Sequence, residues 1–173
     1  DGPIPWFSVV DAPSESDVFV IDTVKHVTEL GIRNSSTQVL PVGTVIISAR
    51  GTVGKVALVG VPMAMNQSCY GLIGLLGLTG TYAYFSTRSL TTALKQNTHG
   101  SVFDTITRDT LESTSLVVPP RHLVSLFEER VDPLMMRIRA NLFQNRTLTT
   151  LRDGLLPGLM SGAVRVTQTE EAM

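Results

Sequence analysis

A chain of 173 residues with 43% hydrophobic content has enough apolar material for one compact domain, or one domain plus an appended element, which excludes a disordered protein. Its longest apolar runs, LVGVPMAM (58–65) and LIGLLGL (72–78), are cut by Gly or Pro well short of the ~20 residues that a membrane-spanning helix needs. The single cysteine, Cys69, excludes an internal disulfide and a cysteine-based zinc site, and the net charge of −1 conceals a strong division along the chain.

The opening DGPIPW has neither a basic start nor an apolar stretch, so no secretion signal is expected and a reducing cytoplasm is the default. It also lacks an initiating Met, as a piece cut from a longer chain would. Residues 1–22 carry five acids and no base, a balance of −5. Residues 23–108 carry seven bases (Lys25, Arg33, Arg50, Lys55, Arg88, Lys95, Arg108) against Glu29 and Asp104, a balance of +5. The remainder is nearly neutral, with seven Arg and eight acids. A basic middle suits a polyanion-binding surface, and equally an ordinary solvated face.

From 18 to about 76, short β-branched runs (VFVID, TVIIS, KVALV, CYGLI) alternate with Gly, Pro, Asn and Ser clusters, which predicts a compact β-rich sheet or barrel. Within it, SARGTVGK (48–55) lacks the spacing, the hydroxyl residue and the following helix of a phosphate-binding P-loop. Two glycines around Thr52-Val53 instead predict a hairpin of two or slightly more loop residues, flanked by Arg50 and Lys55. Those cations can meet phosphates or base edges, or stand solvated. Asn66 and Gln67 carry amides suited to the N6 and N7 edge of adenine, although amides beside strands also cap backbone. GTYAYFSTRSLTTALKQ (80–96) spaces Tyr82, Phe85, Leu90 and Leu94 at helical period. NTHGSVFDTI (97–106) reads as a loop, and TSLVVPP (114–120) as a short strand stopped by two prolines.

No catalytic constellation emerges. His99, Ser101 and Asp104 are too close in sequence for a triad drawn from separate elements, and no G-x-S-x-G elbow is present. The three histidines have no metal-ligand spacing. Glu128 and Glu129 are adjacent and do not share a helix face. The only Pro-Pro, in Val118-Pro119-Pro120-Arg121, lacks the flanking residues of the Asp/Asn-Pro-Pro-aromatic tetrapeptide of adenine methyltransferases.

From Arg121 to about Leu156 turn residues are sparse, and Val124, Phe127, Val131, Leu134 and Ile138 follow a 3-4-3-4 spacing. That predicts a long helix with a coiled-coil seam, ~54 Å if unbroken. Asn141, Asn145 and Leu148 continue the register, and polar seam residues fix register and partner. Pro133 is expected to kink or restart the helix, and Leu155-Leu156-Pro157-Gly158 and Ser161-Gly162 to end it.

Taken in order, RGTVGK, AMNQSCY, HGSVFDTITRDTL, the double-proline end and LRDGLLPGLMSGAV closely resemble the specificity subunit of type I restriction-modification systems, from Ile4-Pro5-Trp6 to about Val166. The resemblance implies an α+β fold: a β-rich target recognition domain over 1–119, a long conserved helix over 120–162 forming an antiparallel coiled coil, and a tail over 163–173. It implies a non-catalytic subunit, or half-subunit, that reads one half of a bipartite site in double-stranded DNA and docks modification subunits. Those subunits carry the S-adenosylmethionine chemistry, so no cofactor is expected in this chain, and a restriction subunit joins through the complex. One recognition domain and one helix make about half of the usual subunit, so a homodimer through the helix is the expected assembly. The DNA-binding residues expected are Lys25, Arg33, Arg50, Thr52, Lys55, Asn66, Gln67, Lys95, His99, Ser101 and Arg108. The dimerisation residues expected are Val124, Phe127, Val131, Leu134, Ile138, Asn141, Asn145 and Leu148. A fused methyltransferase or restriction enzyme of which this is the recognition end, and a coiled-coil adaptor that never touches DNA, are the alternatives.

Overall fold

The structure, a computed structural model, describes residues 2–14, 17–97 and 105–165. The elements run β1 (Ile4–Phe7), β2 (Phe19–Val20), β3 (His26–Val27), α1 (Glu29–Arg33), β4 (Val45–Ser48), β5 (Val56–Val59), β6 (Ala64–Met65), β7 (Cys69–Leu72), α2 (Gly80–Asn97), α3 (Arg108–Glu112) and α4 (Arg121–Met160). The β-rich first part and the long last helix are the predicted α+β arrangement. The chain divides into two compact units, residues 1–138 and 139–173.

Among the described residues the strands form two sheets, β3-β1-β6 and β2-β5-β4-β7. In the larger one β4 is central and antiparallel to both β5 and β7, while β2 adds to β5 in parallel. VIIS and VALV read as continuous apolar runs because β4 and β5 are covered on both faces. Successive side chains of a strand point to opposite faces, so Ile46 joins one core with Phe7, Val20, Val59, Met63 and Cys69, and Ile47 joins another with Ala49 and Ile106. The smaller sheet ties distant sequence together, β1 pairing in parallel with β6 through Trp6 and Ala64. Helix α2 packs on β4 and β5.

Helix α4 begins within the first unit, where Val124 and Met135 are buried. The Phe127 ring meets Tyr82 at 6.2 Å and Phe85 at 5.7 Å between centroids, both edge to face. Glu128 accepts from the backbone N–H (2.9 Å) and the hydroxyl (2.6 Å) of Thr79. That places a carboxylate at the start of α2, where the helix dipole favours it.

Three expectations on local structure are corrected. Residues 114–120 form no strand: Val117 is 93% exposed, with no neighbouring strand among the described residues to supply a ladder. Pro133 does not restart α4, which runs through Pro157 to Met160 and stops at the expected Ser161-Gly162. Each proline removes one i to i−4 hydrogen bond, and around Pro133 the packing of Val124 and Met135 on the first unit outweighs that loss. The 49–55 loop is wider than a two-residue hairpin, for the reasons given below.

Cys69 is buried, and burial, reinforced by the Asp11 carboxylate, pushes its thiol up from 9.0 to about 11. The fold therefore holds the neutral thiol. Its stabilising share is complete below pH 9 and is lost as pH rises towards 11. Cys69→Ala should flatten the decline in stability over that window, as read by denaturant unfolding at graded pH, and the native thiol should resist alkylation at pH 8.

Candidate nucleic-acid interface

The wide loop between β4 and β5 is organised by one buried hydroxyl. Ser48 Oγ donates to the Thr52 carbonyl (2.5 Å) and accepts from the Lys55 N–H (2.8 Å), while its own carbonyl takes the Gly54 N–H (2.9 Å). The reversal needs left-handed backbone at Gly51 (φ 76°) and Gly54 (φ 77°), which glycine adopts without strain. Held this way, Arg50 and Thr52 are exposed. Arg50 makes no side-chain hydrogen bond or ion pair among the described residues.

Chain direction places several loops at the same end of the larger sheet. Strand β4 ends there at Ser48, while β5 and β7 begin there, so the Arg50–Lys55 loop lies beside the turn that precedes Cys69. The backbone N–H of Ala49 and of Arg50 both donate to the Ser68 carbonyl, at 2.8 and 3.3 Å. On the other side Arg50 bridges to Thr105, and Ile106 N–H donates to the Ala49 carbonyl.

Next to this loop a cleft of about 220 Å3 opens between α2 and the start of β5, lined by Lys55, Arg88 and Lys95 together with Tyr84, Thr91, Thr92, Ser14 and Asp17. The Arg88 guanidinium stands 5.8 Å over the Tyr84 ring. Burial raises the Tyr84 phenol above its ordinary 10, only partly offset by the charge and hydrogen bond of Arg88. Its hydroxyl is thus protonated at neutral pH and able to donate. Three cations and a phenol facing one cleft are donors suited to phosphate oxygens, while the Thr91 and Thr92 hydroxyls already donate to the Arg88 carbonyl, at 2.8 and 3.0 Å.

A second groove, of about 500 Å3, lies between Trp6, residues 36–38 and the Asn66–Gln67 turn, with Leu40, Met65, Cys69, Gly71 and Ile73 completing its lining. Asn66 Oδ1 accepts from the Ser68 N–H at 3.1 Å, which fixes the turn. Gln67 is exposed at its tip.

The structure therefore gathers Arg50, Thr52, Lys55, Lys95, Asn66 and Gln67 around one end of the larger sheet. Arg33 pairs with Glu29 on α1 (3.3 Å) and Arg108 with Glu112 on α3 (2.8 Å), both as exposed pairs one helical turn apart. Lys25 precedes β3 of the smaller sheet, and its carbonyl accepts from the Trp6 N–H. His99 and Ser101 lie outside the described residues. The sequence-based site omitted Tyr84, Arg88, Trp6 and Gln38. An aromatic and an arginine four residues apart on a predicted helix was a usable signal for the first two.

The seam of α4 is divided. Val124 is buried and Phe127 is engaged by α2, so both serve the first unit, whereas Leu134 is 64% exposed and Ile138 is exposed. In the second unit Asn141 and Asn145 are exposed, Leu148 is 62% exposed, and Arg139 stands 5.4 Å over the Phe143 ring. Among the described residues no helix is long and apolar enough to cross a membrane.

Comparison with known proteins agrees with this architecture. The model of the family described as type I restriction modification DNA specificity domain matches residues 1–122. The chain is similar to the specificity subunit of the type I restriction enzyme MjaIX of Methanocaldococcus jannaschii, 24% identical over 159 residues, covering 83% of this chain and 37% of that protein. It is similar at the same identity to the HindI specificity subunit of Haemophilus influenzae, over 164 residues, 93% of this chain and 35% of that protein. The chain thus spans little more than a third of the length of these curated relatives. Among solved structures it shares its fold with the HsdS subunit of Thermoanaerobacter tengcongensis, with a TM-score of 0.55 at 17% identity over 90% of this chain and 36% of that one. A chain from a structure addressing assembly and conformational transition of the type I R-M system matches with the same TM-score and identity, over 91% of this chain and 38% of that one.

Proposed function

We propose, from the premise that this chain belongs to the type I restriction modification DNA specificity domain family, that it reads one half of a bipartite site in double-stranded DNA and carries no chemistry of its own. The observation that supports this reading is the grouping of Arg50, Lys55, Arg88 and Lys95 around one end of the larger sheet. Cations at a rigid sheet end can hold the phosphate backbone and so set the register of the protein on the duplex. Methyl transfer with S-adenosylmethionine falls to modification subunits that dock on the chain, a restriction subunit joins through the complex, and the assembly works in the cytoplasm. Filter binding of duplex DNA across a salt series tests the reading. Affinity should fall steeply and linearly on logarithmic axes, by roughly 0.9 of a slope unit per phosphate contacted. A flat response would favour an adaptor that never touches DNA.

The same reading assigns α4 to assembly. With Val124 and Phe127 used inside the first unit, pairing between copies would rest on Leu134, Ile138 and Leu148, with Val131 at the margin. Two copies packed antiparallel would relate their recognition domains by a two-fold axis and read an interrupted palindrome. Asn141 and Asn145 would select the register, so changing both to Leu should strengthen association but admit more than one register. Sedimentation equilibrium at tens of micromolar should show a dimer, and a persistent monomer would overturn the pairing.

A further inference from the structure

Along α2, Tyr84, Arg88, Thr91 and Lys95 follow one another at intervals of four, three and four residues, which puts them on one face of the helix. That face lines the cleft, together with Lys55 and Val56 at the start of β5. The basic loop closes tightly on it. A Cβ on Gly54 would stand 3.0 Å from Lys95 Cε and 3.7 Å from Thr91 Cβ, so a glycine is what lets the loop seat against α2.

The donors in the cleft are of two kinds. Lys55, Arg88 and Lys95 are charged, and the last two are exposed. Tyr84 is neutral and only 2% exposed, its ring held edge to face by Phe85 at 5.3 Å between centroids. A guanidinium can only donate, so in the hydrogen bond between Arg88 and the phenol the phenolic oxygen accepts. Its proton is left over, and no acceptor for it stands among the described residues. Buried donors are normally paired, so an unused one at a cleft of cations marks the place of an incoming acceptor. Among the described residues the cleft has one carboxylate, Asp17, which is exposed and bonded by Ser14 Oγ (3.2 Å), and three cations outweigh it.

We propose that the cleft seats a single phosphate of the DNA backbone and that the Tyr84 hydroxyl, donating to one of its oxygens, is the positioning residue that fixes where that phosphate stands. This deepens the DNA-reading assignment and rests on it. The cations draw phosphates in through charge and release counterions, so they set the salt slope. A neutral hydroxyl releases none. Its bond to a charged oxygen adds affinity at every salt concentration, on the order of 10-fold, and a ring clamped in the core gives that bond a fixed direction and so a register for the protein on the duplex.

Filter binding of duplex DNA across a salt series, with the full 173-residue chain, tests this by comparing Tyr84→Phe with Arg88→Ala. Tyr84→Phe keeps the ring and removes the hydroxyl. It should bind every duplex on the order of 10-fold more weakly with the salt slope of the wild type, whereas Arg88→Ala should lower the slope by about 0.9. Affinity equal to the wild type would overturn the contact. A loss accompanied by the lower slope of Arg88→Ala would overturn it too, since the hydroxyl would then act only by holding Arg88. A loss confined to one sequence would place Tyr84 on a base and reject the seat. Without any variant, the phenol carbon resonance of Tyr84 should shift when duplex is added, and an unmoved resonance at saturation would also overturn the contact. Inorganic phosphate, exchanged for chloride at constant ionic strength, should not displace the duplex. Displacement from the wild type but not from Tyr84→Phe would make free phosphate the occupant and overturn the backbone as its source. A wild-type chain that binds no duplex would overturn the DNA reading itself, whatever Tyr84 does.

Discussion

The triple variant Lys55→Ala, Arg88→Ala, Lys95→Ala is expected to bind every duplex several hundred-fold more weakly than the wild type at 0.1 M salt. If each cation in the cleft neutralises one phosphate, their loss reduces the salt slope by about 2.7, because each contact contributes about 0.9. The deficit vanishes on extrapolation to 1 M salt and grows by that slope per decade below it, which gives roughly 500-fold at 0.1 M. Arg88 and Lys95 are exposed and Lys55 is half-buried, so the fold should survive, and circular dichroism will show whether it does. Since backbone contacts carry no sequence information, the preferred motif should not change. A slope equal to that of the wild type would remove the cleft from the interface. A loss confined to one sequence would make these residues base readers.

The central strands were legible because β4 and β5 are buried on both faces, which writes them into the sequence as VIIS and VALV. Helix α2 was legible from Tyr82, Phe85, Leu90 and Leu94, and α4 from its seam and length. Short strands were not: β1 exists because Trp6 pairs with Ala64 and Pro5 with His26, and no local pattern encodes such pairings. LVV at 116–118 failed in the opposite direction. β-Branched composition makes a strand only where an edge is free to receive it.

The candidate site divides along the same line. Arg50, Lys55, Asn66 and Gln67 flank turns that glycine and polar residues announce. Arg88 enters the cleft only because α2 packs on β4 and β5, and Gln38 faces Gln67 only because two sheets meet around Phe7 and Met63. A site assembled by packing between elements is invisible until those elements are placed. The seam shows the converse. Heptad spacing identified the apolar face of α4, but spacing cannot say whether the surface that covers it belongs to this copy or to another.

Phe127→Ala should settle that for the first turns of the helix. The ring is half-buried and makes two edge-to-face contacts with α2. Phe→Ala in a core costs about 3–5 kcal/mol, and partial exposure places this site near about 3 kcal/mol. The aromatic pairs account for about 0.5–1.5 kcal/mol each of what is lost. Because Tyr82 and Phe85 belong to the same chain, the fall in Tm should be independent of protein concentration. A residue whose partner lies on a second copy behaves otherwise, since association stabilises by mass action and its loss is felt most where the dimer is most populated. Leu148, 62% exposed, is the contrast. Leu148→Ala should leave a dilute sample almost unchanged and lower Tm progressively as concentration rises. Thermal melts of both variants over a wide concentration range separate the two roles. A Phe127→Ala deficit that grows with concentration would move the start of the seam to the contact between copies, and with it the register on which the two-fold arrangement of recognition domains depends.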